Sequence, residues 1–168
     1  DKSDLTRQDA DKIVSDTLKN CDDGELYLEE SKSESISLDD NKIKSLNYSS
    51  DLGFGLRAIS DEVIAYSYSN EISKASLKSS SENLKSTLKS IKGTYNHEIP
   101  KTNKKFYEDI NPIEQKTLNS KIEVLNKVND FLRKKDGSVK QVTASFAGEQ
   151  KSIEIIRSGG ETLTDVRP

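Results

Sequence analysis

The 168-residue sequence has no methionine and no tryptophan, and it has one cysteine, one histidine and three prolines. A catalytic zinc site needs about three protein ligands, commonly histidines one helical turn apart. Cys21 and His97 are far apart in sequence, so they cannot form such a site alone. A serine or cysteine nucleophile would need His97 as its base, and we expect that histidine to be solvated in a loop. We therefore predict no catalytic, cofactor-binding or metal-binding residue in this chain.

Long apolar runs and an excess of one charge are also missing. No run approaches the roughly 20 apolar residues of a membrane-spanning helix, and no basic start with an apolar segment marks a signal peptide. The 26 basic and 29 acidic residues give a net charge of -3, which does not favour nucleic acid or an anionic membrane. Cys21 cannot form an internal disulfide, and we predict a buried thiol. These features predict a cytoplasmic protein that binds neither nucleic acid directly nor a membrane.

The length allows one full domain, or one domain and part of another, with a core that is stable without disulfides. Because position 1 is not a methionine, we expect the sequence to be part of a longer protein. The other end favours the same interpretation, since residues 161–167 are typical of a strand and the chain stops at Pro168. We expect a further strand beyond that point.

Residues 1–92 are predicted to form a helix, a five-strand antiparallel meander and a second helix. Thr6 is a typical N-cap, and the apolar face of the first helix comprises Ala10, Ile13, Val14, Leu18 and Cys21. Alternating segments closed by turn residues predict strands at 25–30, 33–39, 42–49, 53–59 and 63–69. The second helix is predicted over residues 72–91, where Ser80 and Ser81 interrupt the apolar stripe.

Residues 93–111 are predicted to be a linker or surface loop, because they contain Pro100 and a lysine-rich cluster. Residues 112–168 are then predicted to form a third helix and three strands, incomplete at the C-terminus. Asn111 is the predicted N-cap of that helix. Its predicted main face comprises Leu118, Ile122, Leu125 and Leu132, with Val124, Val128 and Phe131 beside it. The strands are predicted at 139–147, 151–157 and 162–167.

These elements predict an α+β fold in which antiparallel sheet meanders pack against amphipathic helices. A helix followed by a meander occurs over residues 6–69 and again, in a shorter copy, over residues 112–167. The similarity between the copies lies in the order of elements and only slightly in the residues.

Acidic residues of the predicted strands and turns do not define a catalytic pair. We expect Glu29, Glu30, Glu34, Asp39 and Asp40 to be solvated on strand exteriors or turns. A glycosidase-type pair of carboxylates remains an alternative, although nothing in the sequence distinguishes one pair from another.

Gly53 and Gly55 have the spacing of the first glycines of a phosphate-binding loop. No third glycine, lysine or helix start follows them. Glycine in a strand permits close approach by another backbone or a large side chain. We therefore interpret both glycines as structural, and we expect Arg57 to form a surface ion pair.

Four segments carry a resemblance to a known family at matching order and spacing. They are Gly24-Glu25-Leu26-Tyr27-Leu28-Glu29, Gly53-Phe54-Gly55-Leu56-Arg57-Ala58-Ile59-Ser60, Val142-Thr143-Ala144-Ser145 and Asp165-Val166-Arg167-Pro168. Taken together, they resemble the N-terminal region of the TldD/PmbA family, also called modulators of DNA gyrase. The second and fourth segments are closer to the TldD branch than to the PmbA branch.

The resemblance implies the N-terminal, non-catalytic domain of a cytosolic zinc metallopeptidase that degrades or processes small or unfolded peptides. It also implies a heterodimer with a PmbA-like paralogue, with this domain serving assembly and shaping the substrate chamber. The family's zinc motif, His-Glu-x-x-x-His, lies downstream, so the resemblance assigns no catalytic or metal-binding residue here. Zinc is expected in the parent protein, and this chain alone is expected to be inactive.

The alternative is a stand-alone peptide- or protein-binding adaptor with no catalytic parent. The sequence downstream of Pro168 distinguishes the two hypotheses, because only a peptidase parent carries the zinc motif.

We predict that the chain self-associates through the strand at residues 162–167 more than the parent protein does, because an unpaired strand edge is a template for another strand. Analytical ultracentrifugation at high concentration measures this directly. A single monomeric species would contradict the prediction.

Overall fold

The computed structural model describes residues 4–89 and 106–168. The elements in this part of the chain are α1 (Arg7–Leu18), β1 (Asp23–Asp39), β2 (Lys42–Ser60), β3 (Val63–Ser69), α2 (Lys74–Thr87), α3 (Leu118–Lys135), β4 (Thr143–Arg157) and β5 (Thr162–Arg167). The strands form one five-stranded sheet in the order β3-β2-β1-β4-β5. The predicted α+β class is confirmed.

The sheet is antiparallel, and β1 lies at its centre. β2 and β3 pair over Phe54 to Ser60 and Val63 to Ser69. β1 and β4 also run in opposite directions, since the Asp40 amide donates to the Val142 carbonyl at one end and the Ser158 amide donates to the Gly24 carbonyl at the other. The second helix-plus-strands segment therefore extends the same sheet.

Three predicted strand breaks are wrong. The segments 25–30 and 33–39 form one strand, β1, and the segments 42–49 and 53–59 form one strand, β2. The predicted turn at Gly148 and Glu149 lies inside β4. Polar residues at these places interrupt the alternation of apolar side chains, but a backbone that is hydrogen-bonded to neighbouring strands continues through them.

The chain divides into two compact units. Unit 1 contains the described residues of Asp1–Glu30, Asp51–Phe106 and Ser152–Asp165, and unit 2 contains Ser31–Ser50, Tyr107–Lys151 and Val166–Pro168. Each of the three long strands changes unit close to a predicted break, at residues 30/31, 50/51 and 151/152. Each interruption in the apolar alternation thus lies where a continuous strand passes from one unit to the other. The predicted division at residues 92 and 111 stays a prediction, and residues 93–105 lie outside the described part.

Unit 1 has the larger core. Thr6 is the N-cap of α1, as predicted, and Ser73 is the N-cap of α2. The fully buried side chains of this core include Val14, Leu26, Leu56, Ala58 and Leu77. Cys21 lies three residues beyond the end of α1, and its thiol is buried as predicted. Alternate residues of β1 and β2 face this core, which accounts for the period of two in the sequence.

Small hydroxyl side chains line the contacts that α2 makes with α1 and with β3. Thr17 Oγ1 and Ser81 Oγ are 2.6 Å apart, and the Ser67 hydroxyl donates to Ser80 Oγ over 3.1 Å. Ser80 and Ser81 are buried, although the sequence presents them as interruptions of the apolar stripe. Their hydrogen bonds compensate for burial of the hydroxyl groups.

Unit 2 has a small core of Ile36, Leu38 and Leu125. The N-cap of its helix, α3, is Thr117, whose side chain accepts a hydrogen bond from the Ser120 amide. The prediction of Asn111 as the N-cap is wrong. Asn111 Oδ1 instead accepts from the amides of Ile113 and Glu114, so it closes a separate turn that precedes the helix.

The predicted apolar face of α3 is also wrong in part. Leu125 is buried, but its buried neighbours on the helix are Lys121 and Asn129. Ile122 is half-buried and packs against the same core. The remaining large apolar side chains of α3 are exposed, and they are Leu118, Val124, Val128, Phe131 and Leu132. Apolar spacing alone did not predict the buried side of α3, because Lys121 and Asn129 on that side are polar and have hydrogen-bond partners.

Three of the predicted gaps between strands, at residues 40–41, 60–62 and 158–161, are tight turns. Asp40 and Asn41 have φ angles of 48° and 61°, Asp61 has 55° and Gly160 has 77°. Consecutive positive φ angles suit the two-residue turn that joins twisted antiparallel strands, and Asp and Asn tolerate this conformation. The turn at residues 40–41 therefore sets the register with which β1 and β2 begin to pair.

We predict that Leu56→Ala lowers the free energy of unfolding by about 2–5 kcal/mol, because Leu56 is 0% exposed and its truncation leaves a cavity. Leu52→Ala in the same strand is the matched control. Its side chain is 48% exposed, so we expect a change within about 0.5 kcal/mol. Urea unfolding of both variants measures the difference, and equal losses would contradict the assignment of the core.

Candidate interaction surface

The described residues hold no cluster of three or more His, Cys, Asp or Glu side chains that could bind a metal ion. Cys21 is buried, with its sulfur 3.8 Å from the Thr17 carbonyl oxygen. His97 lies outside the described residues. That the chain has no catalytic or metal-binding residue stays a prediction. No helix in the described ranges has the length and apolarity needed to cross a membrane.

Glu34 is held in a nearly buried ion pair of unit 2. Lys121 Nζ donates to Glu34 Oε1 and to the Ile113 carbonyl, each over 2.6 Å, and it lies 5.7 Å from the centre of the Phe146 ring. The Lys121 and Glu34 side chains are 4% and 13% exposed. The expectation that Glu34 is solvated is therefore wrong. Its partner is 87 residues away in the sequence, so no local sequence pattern predicts this ion pair.

Asp39 and Asp40 attach the turn between β1 and β2 to the start of β4. Asp39 accepts hydrogen bonds from the side chains of Gln141 and Thr143, and these bonds lower the pKa of its carboxyl below the ordinary value. Asp40 accepts from the Val142 amide over 3.0 Å and pairs with the Arg133 guanidinium. Both acids therefore have structural partners here.

The sheet face of unit 1 that points away from its core presents aromatic side chains on β3. Tyr66 and Tyr68 are 63% and 72% exposed, and Ile64 beside them is 64% exposed. The two tyrosine rings are stacked, with centroids 6.1 Å apart and planes inclined by 26°. Aromatic groups of this kind are common in protein interfaces.

Gly53 and Gly55 are places of close approach, as predicted. A Cβ atom on Gly55 would lie 2.5 Å from the hydroxyl oxygen of Tyr66, and one on Gly53 would lie 2.8 Å from the Ser69 carbonyl oxygen. The missing side chain at Gly55 lets the Tyr66 side chain lie across β2. The sequence indicates the close approach but not the residue that makes it.

Arg57 lies next to the aromatic residues, opposite Tyr66 in the pairing of β2 with β3. Arg57 Nη2 is 3.2 Å from Glu25 Oε1 and 3.7 Å from Asp23 Oδ2, which confirms the predicted ion pair. The Nε atom of Arg57 is buried and has no hydrogen-bond partner within the described residues. This face therefore combines exposed aromatic rings with a guanidinium that is held in ion pairs.

Unit 2 has a groove of about 520 Å³ lined mainly by small polar side chains of β1 and β2. Ser33 Oγ and Ser49 Oγ are 2.8 Å apart, and the Asn47 amide donates to Ser35 Oγ over 3.3 Å. Because these groups already pair with one another across the strands, the groove lacks the convergent free polar groups of a small-molecule site.

A second cleft, of about 430 Å³, lies between α1 and α2 in unit 1. Lys74 pairs with Asp9 over 2.6 Å, and Lys85 pairs with Asp16 over 3.3 Å. The hydrogen bond from Lys74 lowers the pKa of the Asp9 carboxyl. Alternating charges of both signs give this cleft no field that favours an anion or a cation.

Residues 24–92 match the family described as PmbA/TldA metallopeptidase domain 1. The chain is also 34% identical over 173 residues to the Metalloprotease TldD homolog of Buchnera aphidicola subsp. Schizaphis graminum. That alignment covers 99% of this chain and 35% of the relative, so the chain spans about a third of the relative's length.

Residues 24–92 correspond to the first domain of the PmbA/TldD family.

Two solved structures have the same fold. A protein assigned as a modulator of DNA gyrase from Bacteroides thetaiotaomicron has a TM-score of 0.70 at 19% identity, and the match covers 98% of this chain and 39% of that one. TldE from Thermococcus kodakarensis has a TM-score of 0.68 at 16% identity, over 95% of this chain and 36% of that one. At these identities the likeness establishes the fold alone.

The features of the unit 1 face fall within the part that matches the PmbA/TldD first domain. The matched residues 24–92 include the Gly24–Glu29 and Gly53–Ser60 segments, together with Tyr66 and Tyr68. The remaining two segments of the resemblance, at 142–145 and 165–168, lie beyond the matched range. The aromatic face therefore belongs to the part of the chain that identifies the family.

We predict that Lys121→Ala lowers the free energy of unfolding by about 3–5 kcal/mol, because it leaves the Glu34 carboxylate buried without its cation. Lys127→Ala is the matched control on the same helix, since Lys127 is exposed, and we expect a change within about 0.5 kcal/mol. Urea unfolding at neutral pH compares the two. A loss in Lys121→Ala no larger than in the control would show that the ion pair does not stabilise unit 2.

Proposed function

We propose that this chain is the non-catalytic N-terminal domain of a TldD-like zinc metallopeptidase that degrades or processes small or unfolded peptides. In this proposal the domain serves assembly with a PmbA-like paralogue and helps to shape the substrate chamber. The zinc ion, and the residues that bind it, belong to the rest of the parent protein. The domain has no peptidase activity alone.

The match of residues 24–92 to the first domain of a metallopeptidase family carries the proposal. The relative named as a metalloprotease is about three times as long as the aligned region, since the alignment covers 35% of it. A parent with further domains accommodates the catalytic machinery that the resemblance places downstream.

The exposed face of unit 1 supports a role in assembly. Tyr66, Tyr68 and Ile64 form an exposed surface, and Arg57 lies beside them, with its guanidinium paired to Glu25 and Asp23. Interfaces are enriched in tyrosine and arginine, and such groups contribute most when a partner removes them from water. We assign this face to contact with the remainder of the parent or with the paralogue.

The cellular setting is part of the same proposal. A cytoplasmic location, and a role without direct contact to nucleic acid, are supported by the family resemblance and by the net charge of -3. The charge gives no long-range attraction to a polyanion.

The test compares the longest reading frame that contains this chain with residues 1–168 alone. We expect the longer protein to carry His-Glu-x-x-x-His, to bind zinc in elemental analysis and to hydrolyse short peptides or a denatured protein. A variant with the motif's glutamate replaced by glutamine is the control, and it should keep zinc and lose hydrolysis.

Peptidase activity of residues 1–168 alone would contradict the assignment of a non-catalytic domain. A reading frame that lacks the motif would overturn the peptidase parent and would favour the stand-alone adaptor.

A further inference from the structure

The edge of β2 is open along its first half. β3 pairs with β2 only from Phe54 to Ser60, and β1 is the other neighbour of β2 in the sheet. Along Lys42–Ser50, which lies wholly in unit 2, no described strand occupies the side away from β1. We call this segment the open edge.

The open edge is accessible from both faces of the sheet. Every residue from Lys42 to Ser50 is exposed, including Ile43, Leu46 and Tyr48, which are 53%, 49% and 59% exposed. An accessible edge with unpaired backbone groups accepts another strand through main-chain hydrogen bonds. Lys42 and Lys44 protect the start of the open edge, whereas Ser45–Ser50 contains neither a charge nor a proline.

The order of side chains fits a second copy of the same segment. In an antiparallel pair centred on Asn47, residue numbers of facing residues sum to 94, so Leu46 faces Tyr48 of the second copy and Tyr48 faces its Leu46. Each pair places a tyrosine ring against a leucine side chain, and apolar cross-strand pairs of this kind are favourable. Lys44 faces Ser50, so no like charges meet. An interface of this kind is its own complement, as two-fold symmetry requires.

We propose that two copies of this chain associate by antiparallel pairing of their open edges, with the two-fold axis at Asn47. The strand β5 at the other edge of the sheet is a weaker candidate. It has six residues, of which Asp165 and Arg167 are charged. Self-association through the strand at residues 162–167 stays a prediction, and the experiment below compares it with the open edge of β2.

Cysteine cross-linking tests the axis. Asn47→Cys places two thiols opposite each other, at the Cα separation of about 4.5–5.5 Å that facing residues have and that a disulfide accepts. Ser50→Cys is the matched control in the same segment, because the two new thiols are then about 20 Å apart along the strands. Thr164→Cys reports on the β5 edge. Wild type, which keeps the buried Cys21, measures the background.

We expect mild oxidation to convert Asn47→Cys to a covalent dimer, with Ser50→Cys and Thr164→Cys near the wild-type background. Equal cross-linking of Asn47→Cys and Ser50→Cys would overturn the register. Cross-linking of Thr164→Cys alone would assign the interface to β5. A wild-type chain that sediments as a monomer up to about 1 mM would overturn self-association through either edge.

A charge exchange tests the same register without oxidation. Leu46→Lys alone and Tyr48→Glu alone each remove both apolar pairs of a symmetric dimer, and we expect each to weaken self-association about tenfold. A mixture of the two variants places the introduced lysine opposite the introduced glutamate. We expect a mixed dimer in native mass spectrometry. Association in the mixture that is as weak as in either variant alone would contradict the pairing of positions 46 and 48.

Thermal unfolding followed by circular dichroism accompanies both experiments. Because Leu46, Asn47 and Tyr48 are exposed, we expect each variant to unfold within a few degrees of wild type, as surface substitutions of this size do. A variant that fails to fold would contradict the description of this segment as an open edge.

Discussion

β1 is hydrogen-bonded along both sides, to β2 through a two-residue turn and to β4 across more than a hundred residues of chain. The second pairing determines the fold, because it joins the helix and hairpin at the end of the chain to the sheet formed at its start. Contacts between residues so distant in sequence require closure of a long loop. This closure costs conformational entropy before the hydrogen bonds between β1 and β4 can compensate for it. Both cores depend on that closure, since Ile156 of β4 lies in one and Phe146 packs against the other.

Local chemistry made much of the fold predictable. Thr6 marked the start of α1, the aspartate and asparagine at 40–41 marked a turn, and alternation marked the inward side of β2. The same alternation failed where strands pass between cores, because side chains there, such as the exposed Ser50, do not need to be apolar. Strand continuity there is a property of neighbouring backbones, and a single sequence contains no direct sign of it. The order of strands was likewise not predictable from spacing.

The candidate surface was predictable only in outline. Glycine spacing indicated a close approach, and the family resemblance identified the segment, but the partner of Gly55 comes from the next strand. On α3 the apolar period misled. Lys121 is buried with partners from outside the helix, Glu34 and the Ile113 carbonyl, and Asn129 is buried while accepting a hydrogen bond from Arg133 of the same helix. Burial of polar groups depends on partners in three dimensions, so hydrophobic periodicity is least reliable where a small core relies on such partners.

The contact between Gly55 and Tyr66 couples two positions that face each other diagonally on adjacent strands. A side chain can be added at position 55 only if the ring at position 66 moves or becomes smaller, and a ring at position 66 can stay flat only over glycine. A side chain gained at position 55 therefore displaces the exposed ring of Tyr66 without any change at position 66. A lineage that keeps the glycine keeps a tyrosine that lies across β2, whereas a lineage that loses it turns that ring toward solvent.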